Sequence, residues 1–388
     1  MRMITVALIA LGCSTADEDK GTDAEVRNGL AALGYDTQNI NNVTVAVVGD
    51  ESDGLNLPRD LAFNPDDPGE LWVVNRTDDS VSIFSNVGTA DQSSEHIVDP
   101  FAMHFMDNVS SIAFGAPMHS ESAASNFATC QESTNTYNDR GDPNYFMGPT
   151  LWSSDPDIFG ESNRDAIEYL TDLFGFYTDL GSHLDMLHES PLCMGIAFDY
   201  DNVYWAFDGY NRSIYRYDFQ EDHGPGYDDH GDGIIARYAE GEIGYEADVP
   251  SHLILDADSR LLYIADTQNN RIAILDTDSG VEGDPLLRAE RPYTTHYEMD
   301  GEEIWTFIDG AEVGLESPSG IELVDGVLLV TDNQTSEIVA FDMDGSVVDR
   351  VNTGLPAGSL MGIFARTIED LWIVDAVGNR VLNLTPLD

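Results

Sequence analysis

Short runs of apolar and aromatic residues recur along the chain, and polar turn residues separate them. The clearest copy reads Pro-Ser-His-Leu-Ile-Leu from Pro250, then Leu-Leu-Tyr-Ile-Ala-Asp from Leu261, then Asn-Arg-Ile-Ala-Ile-Leu from Asn270. Runs rich in β-branched and aromatic residues, broken by Asp, Asn and Gly, indicate short strands joined by turns. Units of this kind start at Leu57, Val109, Pro191, Pro250, Pro318 and Leu360. The repeat therefore predicts an all-β protein, a six-bladed β-propeller.

The repeated unit is similar to a known repeat family. Pro-x-Gly-Ile, followed by a strand that ends in Asp and then by Asn-Arg-Ile, resembles the NHL repeat over about residues 55–388. The resemblance implies an NHL-like propeller in which the first strand of each blade lines a central channel. The last unit stops after three strands near Leu384, and a strand-like run at 43–48 precedes the first unit. Because an unpaired strand edge invites association, we expect this N-terminal run to complete the last blade.

A polar residue ends the second run of most units. These residues are Asn75, Asp208, Asp266, Asp332 and Asp375. Side chains of Asp and Asn accept hydrogen bonds from backbone groups of a following turn. We therefore expect these five residues to cap the turns after the second strands.

The N-terminal residues have the pattern of an export signal. Met-Arg-Met precedes an apolar run at 4–11, and Gly-Cys follows it, which predicts a signal peptide over residues 1–12. The position of Cys13 resembles that of the lipidated cysteine in bacterial lipoproteins, and an ordinary signal peptide is the alternative. Residues 13–42 then form a polar tether, and residues 43–388 form the propeller. No other run approaches the ~18–20 apolar residues of a membrane span, so we expect membrane contact only through a lipid anchor.

An insertion at about residues 131–190 interrupts the second unit. It holds a loop rich in Gly, Pro and Asn, a predicted strand near Leu151 and an amphipathic helix at 162–173. Long loops in compact domains usually carry function or act as lids. Cys130 and Cys193 stand at the two ends of the insertion, on the same predicted face. We therefore predict a disulfide between them, with two free thiols or two metal ligands as the alternatives.

Acidic side chains dominate the composition. The chain has 71 acidic and 17 basic residues, for a net charge of −54. This excludes nucleic acid as a partner, because few side chains could neutralise a phosphate backbone. A hydrophobic content of 42% also excludes a disordered acidic tail. Acids spread along the chain favour an acidic coat suited to saline, marine surroundings.

Four of the nine histidines are candidate metal ligands. His104 and His188 each stand eight residues before the Ile-Ala-Phe run of their unit, and His183 lies five residues before His188. His252 lies inside the first strand of its own unit. Imidazole nitrogens from converging loops are ligands for zinc or copper, so we expect a transition-metal site at the channel mouth. The alternative is that these histidines only pack or form hydrogen bonds at the loop bases.

The starts of the first strands add two catalytic candidates. Most units have a small residue there, but the first unit has Arg59, which suits an anionic group, and Asp60. Pro-Arg-Asp-Leu at 58–61 and Val-Pro-Ser-His-Leu at 249–253 resemble blade starts of the lyase that cleaves peptidyl-hydroxyglycine. That resemblance implies a zinc-binding role for His252. It does not extend to Gly320 and Gly362, which stand where further histidines are expected.

An acidic, glycine-rich loop follows the third strand of the third unit, at 218–233. Carboxylates alternating with glycine can surround calcium, so Asp228 and Asp232 are candidate calcium ligands. A solvated loop is the alternative.

These features predict an exported propeller, lipid-anchored to a bacterial membrane or secreted, and monomeric. We expect a small molecule or peptide to bind beside a metal at the channel mouth, where the protein acts as a metal-dependent lyase or hydrolase. The alternative is a non-catalytic scaffold, tethered at the surface, that binds protein, peptide or glycan on the same face.

Overall fold

The strands of the protein form the six blades of a β-propeller, as the repeat predicts. The computed structural model describes residues 29–118, 122–142, 144–221, 223–287 and 294–387. The predicted signal at 1–12 and Cys13 lie outside the described residues. Among the described helices, none is long and apolar enough to cross a membrane.

Each blade is built on an antiparallel sheet whose first strand lies at the channel. Blade 1 has strands Pro58–Phe63, Leu71–Asn75, Ser80–Ser85 and Ser93–Val98, and blade 2 has Val109–Phe114, Asn126–Gln131, Thr150–Ser153 and Asp185–Met186. Blade 3 has Cys193–Phe198, Val203–Asp208, Ser213–Asp218 and Ile234–Tyr238, and blade 4 has Leu253–Asp256, Leu261–Asp266, Arg271–Asp276 and Glu303–Asp309. Blade 5 has Pro318–Val324, Val327–Asp332, Glu337–Asp342 and Val347–Asn352, and blade 6 has Leu360–Thr367, Asp370–Asp375 and Arg380–Pro386.

Helices are few and short. The α-helices are Ala102–Phe105, Arg164–Phe174 and Gly310–Val313, and the 3-10 helices are Ala31–Leu33, Ile40–Asn42, Glu51–Asp53 and Tyr137–Asp139. The longest, Arg164–Phe174, begins where Asn163 accepts hydrogen bonds from two backbone N–H groups and ends at Gly175 in the left-handed conformation (φ 81°). It is the helix that the amphipathic pattern predicts within the insertion.

The N-terminal strand closes the ring, as expected. Val43–Gly49 pairs antiparallel with Arg380–Pro386, with Val45 opposite Leu384, and so becomes the fourth strand of blade 6. The two ends of the chain thus lie in one sheet, where Val43–Gly49 covers the outer edge of Arg380–Pro386. Residues ahead of this strand are also part of the folded unit, because Leu30, Ala32 and Leu33 pack in the core between blades 5 and 6. The folded unit thus begins before Val43, inside the segment predicted as a tether.

The core is divided into clusters that lie between neighbouring blades. Trp72, Phe127 and Trp152 meet between blades 1 and 2, for example, and all three are fully buried. Alternate side chains of a strand point to opposite faces of its sheet, so each blade contributes to two such clusters. The apolar runs of the repeat supply both faces.

Three of the five polar residues that end second strands cap the following turn, as predicted: Asp208, Asp332 and Asp375. The other two, Asn75 and Asp266, accept instead from the backbone N–H groups of Asn56 and Gly244, which precede their strands. Asp332 accepts hydrogen bonds from the backbone N–H groups of Gln334 and Thr335, and Asp208 accepts from that of Tyr210. The members of the set are fully buried: Asn75, Asp208, Asp266, Asp332 and Asp375.

A hairpin that the repeat does not predict enlarges blade 3. Strands Val281–Pro285 and Thr295–Asp300 lie in the sequence between the third and fourth strands of blade 4. They pair instead with blade 3, where Ile234 lies opposite Thr295 in a parallel register.

The predicted insertion contains the outer half of blade 2. Thr150–Ser153 and Asp185–Met186 are the third and fourth strands of that blade, and the helix Arg164–Phe174 lies between them. Cys130 and Cys193 form the predicted disulfide, with their Cα atoms 5.2 Å apart. The bond ties the second strand of blade 2 to the first strand of blade 3.

Candidate functional site

The first strands surround a central channel with apolar walls. Its cavity has a volume of about 300 Å³ and is lined at each blade by the isoleucine or leucine of the Ile-Ala-Phe-type run, such as Leu61, Ile112 and Ile196. Asp60 and His252 line the same cavity, as their positions in the repeat predict. The channel therefore holds polar groups, but they stand in apolar surroundings.

Asp60 and His252 face each other across this channel. The Nδ1 atom of His252 lies 3.6 Å from Oδ1 of Asp60, and its Nε2 lies 3.1 Å from the carbonyl oxygen of Ser110. Asp60 also accepts hydrogen bonds from the backbone N–H groups of Leu61 and Ile112. Burial raises the pKa of Asp60, while the charge of His252 opposes the rise.

Glu322 is a third titratable group in the channel, which the repeat pattern did not identify. Burial raises its pKa to about 8, although hydrogen bonds from the backbone N–H groups of Leu323 and Ala365 oppose the rise. Glu322 follows directly after Ile321, and both line the channel with Asp60 and His252. An acidic residue at this position was the only available sequence signal.

Arg59 does not face the channel, which corrects its predicted role in holding an anion. The pairing of Pro58–Phe63 with its neighbour shifts register between Pro58 and Asp60, so Arg59 is a bulged residue. Its side chain is 1% exposed and forms an ion pair of 3.0 Å with Glu132. Arg59 also donates to the carbonyl oxygen of Asp248. Burial lowers the pKa of Arg59 to about 10, and the guanidinium is committed to structural contacts.

Three of the predicted histidines line or adjoin a second cavity, which is separate from the channel. His104 and His188 line it, together with His230 and Asp228, and its volume is about 240 Å³. His183 lies directly behind, where its ring is 5.4 Å from that of His230. None of the residues lining this cavity lines the channel. The histidines thus converge near the outer strands of blades 2 and 3, and His252 is not among them.

The nitrogen atoms in this cavity form close pairs. The Nε2 atoms of His104 and His188 are 3.3 Å apart, and Nε2 of His230 is 3.4 Å from Oδ1 of Asp228. Two nitrogen ligands of a tetrahedral zinc ion at ~2.0–2.1 Å stand ~3.3 Å apart. In the described part of the chain, no third ligand atom of His, Cys, Asp or Glu lies within 4.8 Å of both His104 and His188 nitrogens. The two pairs must therefore approach each other to share one ion.

Two of these buried histidines, His104 and His183, are uncharged at neutral pH. Burial lowers the pKa of His104 to about 3, and the neighbouring His188 and His230 lower it further. Burial also lowers the pKa of His183 well below its usual value. A neutral imidazole carries the lone pair that a metal requires.

Two of the rings are oriented from behind by hydrogen bonds. Nδ1 of His183 lies 2.9 Å from the carbonyl oxygen of Leu180, and Nδ1 of His230 lies 2.8 Å from Oδ1 of Asp185. A proton held on Nδ1 by such a partner leaves the lone pair on Nε2. The buried Nε2 atom of His183 has no hydrogen-bond partner in the described residues.

Aromatic side chains surround the histidines. The ring of Phe146 stacks on His188 with centroids 3.8 Å apart, and Phe105 stacks on His183 at 3.6 Å. Phe174 and Phe176 line the cavity from the end of the helix Arg164–Phe174, and both remain exposed. The insertion thus supplies an apolar wall beside the nitrogen atoms.

The two candidate calcium ligands, Asp228 and Asp232, face different groups. Asp228 faces His230, and this contact lowers the pKa of its carboxyl. Asp232 instead lies 3.0 Å from Nε2 of His223. Ligand atoms of Asp185, His223 and Asp232 lie within 4.8 Å of one another, which makes them a group that could hold a metal.

No family model and no curated protein matches this chain. Its fold is similar to that of a calcium-binding regucalcin from Agrobacterium tumefaciens, with 11% identity, a TM-score of 0.50, and 87% of this chain and 93% of that chain covered. Virginiamycin B lyase from Staphylococcus aureus has 12% identity and a TM-score of 0.47, with 89% and 100% covered. An auxiliary nutrient binding protein from Bacteroides thetaiotaomicron has 11% identity and a TM-score of 0.49, with 84% and 68% covered. At this identity the likeness to regucalcin supports the propeller fold alone, and the fold serves binding proteins and enzymes alike.

Proposed function

We propose that this protein binds a transition-metal ion, zinc or copper, in the histidine cavity and uses it on a small ligand. The observation that carries the proposal is the spacing of 3.3 Å between the Nε2 atoms of His104 and His188. Imidazole nitrogens at this distance, buried in one cavity, are suited to two positions of a tetrahedral metal. His230, Asp228 and His183 are the donors for the remaining positions.

The donor set favours nitrogen-binding metals over calcium. Four imidazoles and one carboxylate surround the cavity, and imidazole suits zinc and copper, whereas calcium takes oxygen ligands. The cysteines add no thiolate, because Cys130 and Cys193 are joined in a disulfide. A catalytic zinc ion takes three protein ligands and leaves its fourth position to water or substrate, so not all five donors would bind at once.

The chemistry that such an ion supplies is that of a Lewis acid, which activates water or polarises a carbonyl. The aromatic wall formed by Phe146, Phe174 and Phe176 would hold the apolar part of the ligand against it. This supports a metal-dependent hydrolase or lyase whose substrate is a small molecule or a peptide end. The reaction would occur at the outer strands of blades 2 and 3 and not at the channel.

A non-catalytic scaffold is the second candidate function. It is favoured by the exposure of the segment beside the cavity, where Phe176 is 66% and Tyr177 is 71% exposed. Aromatic side chains held at a surface are typical anchors for a protein or peptide partner. Retained peptide binding after loss of metal would favour this function over the enzyme.

We also propose that the protein is exported and acts as a monomer outside the cytoplasm. The disulfide supports export, since such bonds persist in oxidising compartments. The lipid anchor at Cys13 is the further step of this proposal, and labelling with a radioactive fatty acid in wild type and Cys13→Ala would test it.

Elemental analysis tests the metal. The full chain, equilibrated with zinc and freed of excess, should lose one ion per chain in the variant His104→Ala/His188→Ala. His252→Ala is the matched control, because that histidine lies in the channel, and it should keep the wild-type content. Equal metal content in wild type and the double variant, with unchanged circular dichroism, would overturn the proposed function.

A further inference from the structure

A second group of ligands lies on the other side of His230 from the histidine cavity. It consists of Asp185 at the outermost strand of blade 2 and of His223 and Asp232 in the loop that precedes the fourth strand of blade 3. Their ligand atoms lie within 4.8 Å of one another, and no other group of three in the described residues does so. Nε2 of His223 is 3.0 Å from Oδ1 of Asp232.

The carboxylate of Asp185 has one oxygen occupied and one unoccupied. Its side chain is fully buried, and Oδ1 lies 2.8 Å from Nδ1 of His230 and 2.6 Å from the backbone nitrogen of Met186. Oδ2 is buried and has no hydrogen-bond partner in the described residues. A buried carboxylate oxygen without a partner is costly unless a cation or a donor compensates it.

We propose that Asp185, His223 and Asp232 bind a second divalent transition-metal ion. One imidazole and two carboxylates form a nitrogen and oxygen donor set that suits zinc and similar ions better than calcium. The ion would be coordinated by Oδ2 of Asp185, because Oδ1 is already engaged in the hydrogen bond with His230. His223 and Asp232, which now contact each other, would both turn their donor atoms to the ion.

Asp185 then connects two metal positions. Oδ1 orients the ring of His230, and Oδ2 binds the second ion. Carboxylates that hold a metal-bound histidine from behind fix its tautomer and ring position. The second ion therefore positions His230. This positioning role rests on the proposed function, but the existence of the second metal site does not depend on it.

The second ion also explains how the two pairs in the histidine cavity can approach each other. Asp228, His230, His223 and Asp232 all lie on the same loop, at residues 223–232. An ion between this loop and Asp185 draws the loop towards blade 2, where His104 and His188 stand. Filling the second position thus brings the donors of the first together.

Zinc content and affinity test this inference on the full chain. Wild type should hold two ions per chain. The variants His223→Ala/Asp232→Asn and His104→Ala/His188→Ala should each hold one ion, and the variant that combines all four changes should hold none. In His223→Ala/Asp232→Asn, the remaining ion should bind at least about tenfold more weakly in competition with a chromophoric chelator. Removing a group that orients a metal ligand typically has an effect of this size. The two changed side chains are partly exposed, so folding should survive, and circular dichroism checks it.

The control is His96→Ala, which removes a surface histidine that faces Asp78 at 3.6 Å without a buried carboxylate. Wild-type metal content in His223→Ala/Asp232→Asn would overturn the second site. If instead only His104→Ala/His188→Ala keeps the full content, the proposed function fails and the second site stands. Loss of an ion in His96→Ala as well would show adventitious surface binding and overturn the inference.

Discussion

The guanidinium of Arg59 and the carboxylate of Glu132 form an ion pair of 3.0 Å, with side chains that are 1% and 3% exposed. The same carboxylate lies 3.2 Å from Nε of Arg76 and accepts hydrogen bonds from the hydroxyl of Tyr245 and the backbone N–H of Asp248. Arg59 and Arg76 belong to blade 1, Glu132 follows the second strand of blade 2, and the other two precede blade 4. One carboxylate thus joins three parts of the ring.

Removing one partner of this pair should destabilise the ring. We expect Arg59→Ala to lower the free energy of unfolding by about 3–5 kcal/mol, because it leaves a buried carboxylate without its closest charge. Urea denaturation measures the change. Arg164→Ala is the control, since that residue pairs with Glu168 on the exposed helix surface, and it should unfold like wild type. Equal stability of Arg59→Ala and wild type would contradict a structural role for the pair.

The disulfide should contribute strongly to stability. Cys130 and Cys193 are separated by 63 positions in the sequence. Cross-linking a loop of that length reduces the conformational entropy of the unfolded chain, which raises the free energy of unfolding by about 4 kcal/mol. We expect Cys130→Ala/Cys193→Ala to unfold at a lower urea concentration than wild type. A reducing agent should shift the urea midpoint of wild type towards that of the variant and leave the midpoint of the variant unchanged. An unchanged wild-type midpoint after full reduction of the disulfide would contradict the prediction.

The blades could be predicted from the sequence because each one is a local repeat. The spacing between Pro250 and Asn270 contains the whole hairpin of a blade, so no long-range information was needed. The disulfide and the closing strand followed from the ring itself, which fixes where the ends of each unit lie. The hairpin that pairs Ile234 with Thr295 was missed, because it leaves its own blade for the next one.

The site was only partly predictable, because its members lie on connections between blades. A connection runs from the outer edge of one blade to the channel strand of the next. His104 and His188 lie on such connections, eight residues before the Ile-Ala-Phe run, and line a cavity separate from the channel, whereas His252 lines the channel itself. His230 lies in the loop at 218–233, and the sequence does not identify it as a member of the site, because nothing in the sequence indicates that this loop reaches Asp185.

The N-terminal strand should be needed for a closed ring. Removal of residues 1–49 leaves blade 6 with the open edge Arg380–Pro386 and uncovers Leu382 and Leu384, which are buried in the intact protein. Open apolar edges pair with other chains. We expect a lower melting temperature and association that light scattering detects. Removal of residues 1–28 is the control, because it leaves Val43–Gly49 paired with Arg380–Pro386 and keeps Leu30 and Leu33 in the core. A monomeric, equally stable truncated protein would contradict the prediction.

The acidic residues that end second strands differ in how their charge is balanced. Asp266 and Asp375 each pair with an arginine five positions later, Arg271 and Arg380. Asp208 has Ser213 in that position, and its fully buried carboxyl accepts hydrogen bonds without a cation. Burial raises the pKa of Asp208 to about 7, although hydrogen bonds from Asn211 and Tyr210 oppose the rise.

Asp208 should therefore make the stability of the protein depend on pH. Between about pH 4 and pH 7 the folded carboxyl keeps its proton while the unfolded one releases it, so the free energy of unfolding falls as pH rises and levels off above that range. Asp208→Asn keeps an acceptor but does not titrate, and Asn75 shows that asparagine fits this position in blade 1. We expect wild type to lose stability relative to Asp208→Asn from pH 4.5 to pH 7.5 in urea denaturation. A difference between the two proteins that stays constant across this range would contradict the assignment, because only a carboxyl that is protonated in the folded state produces the trend.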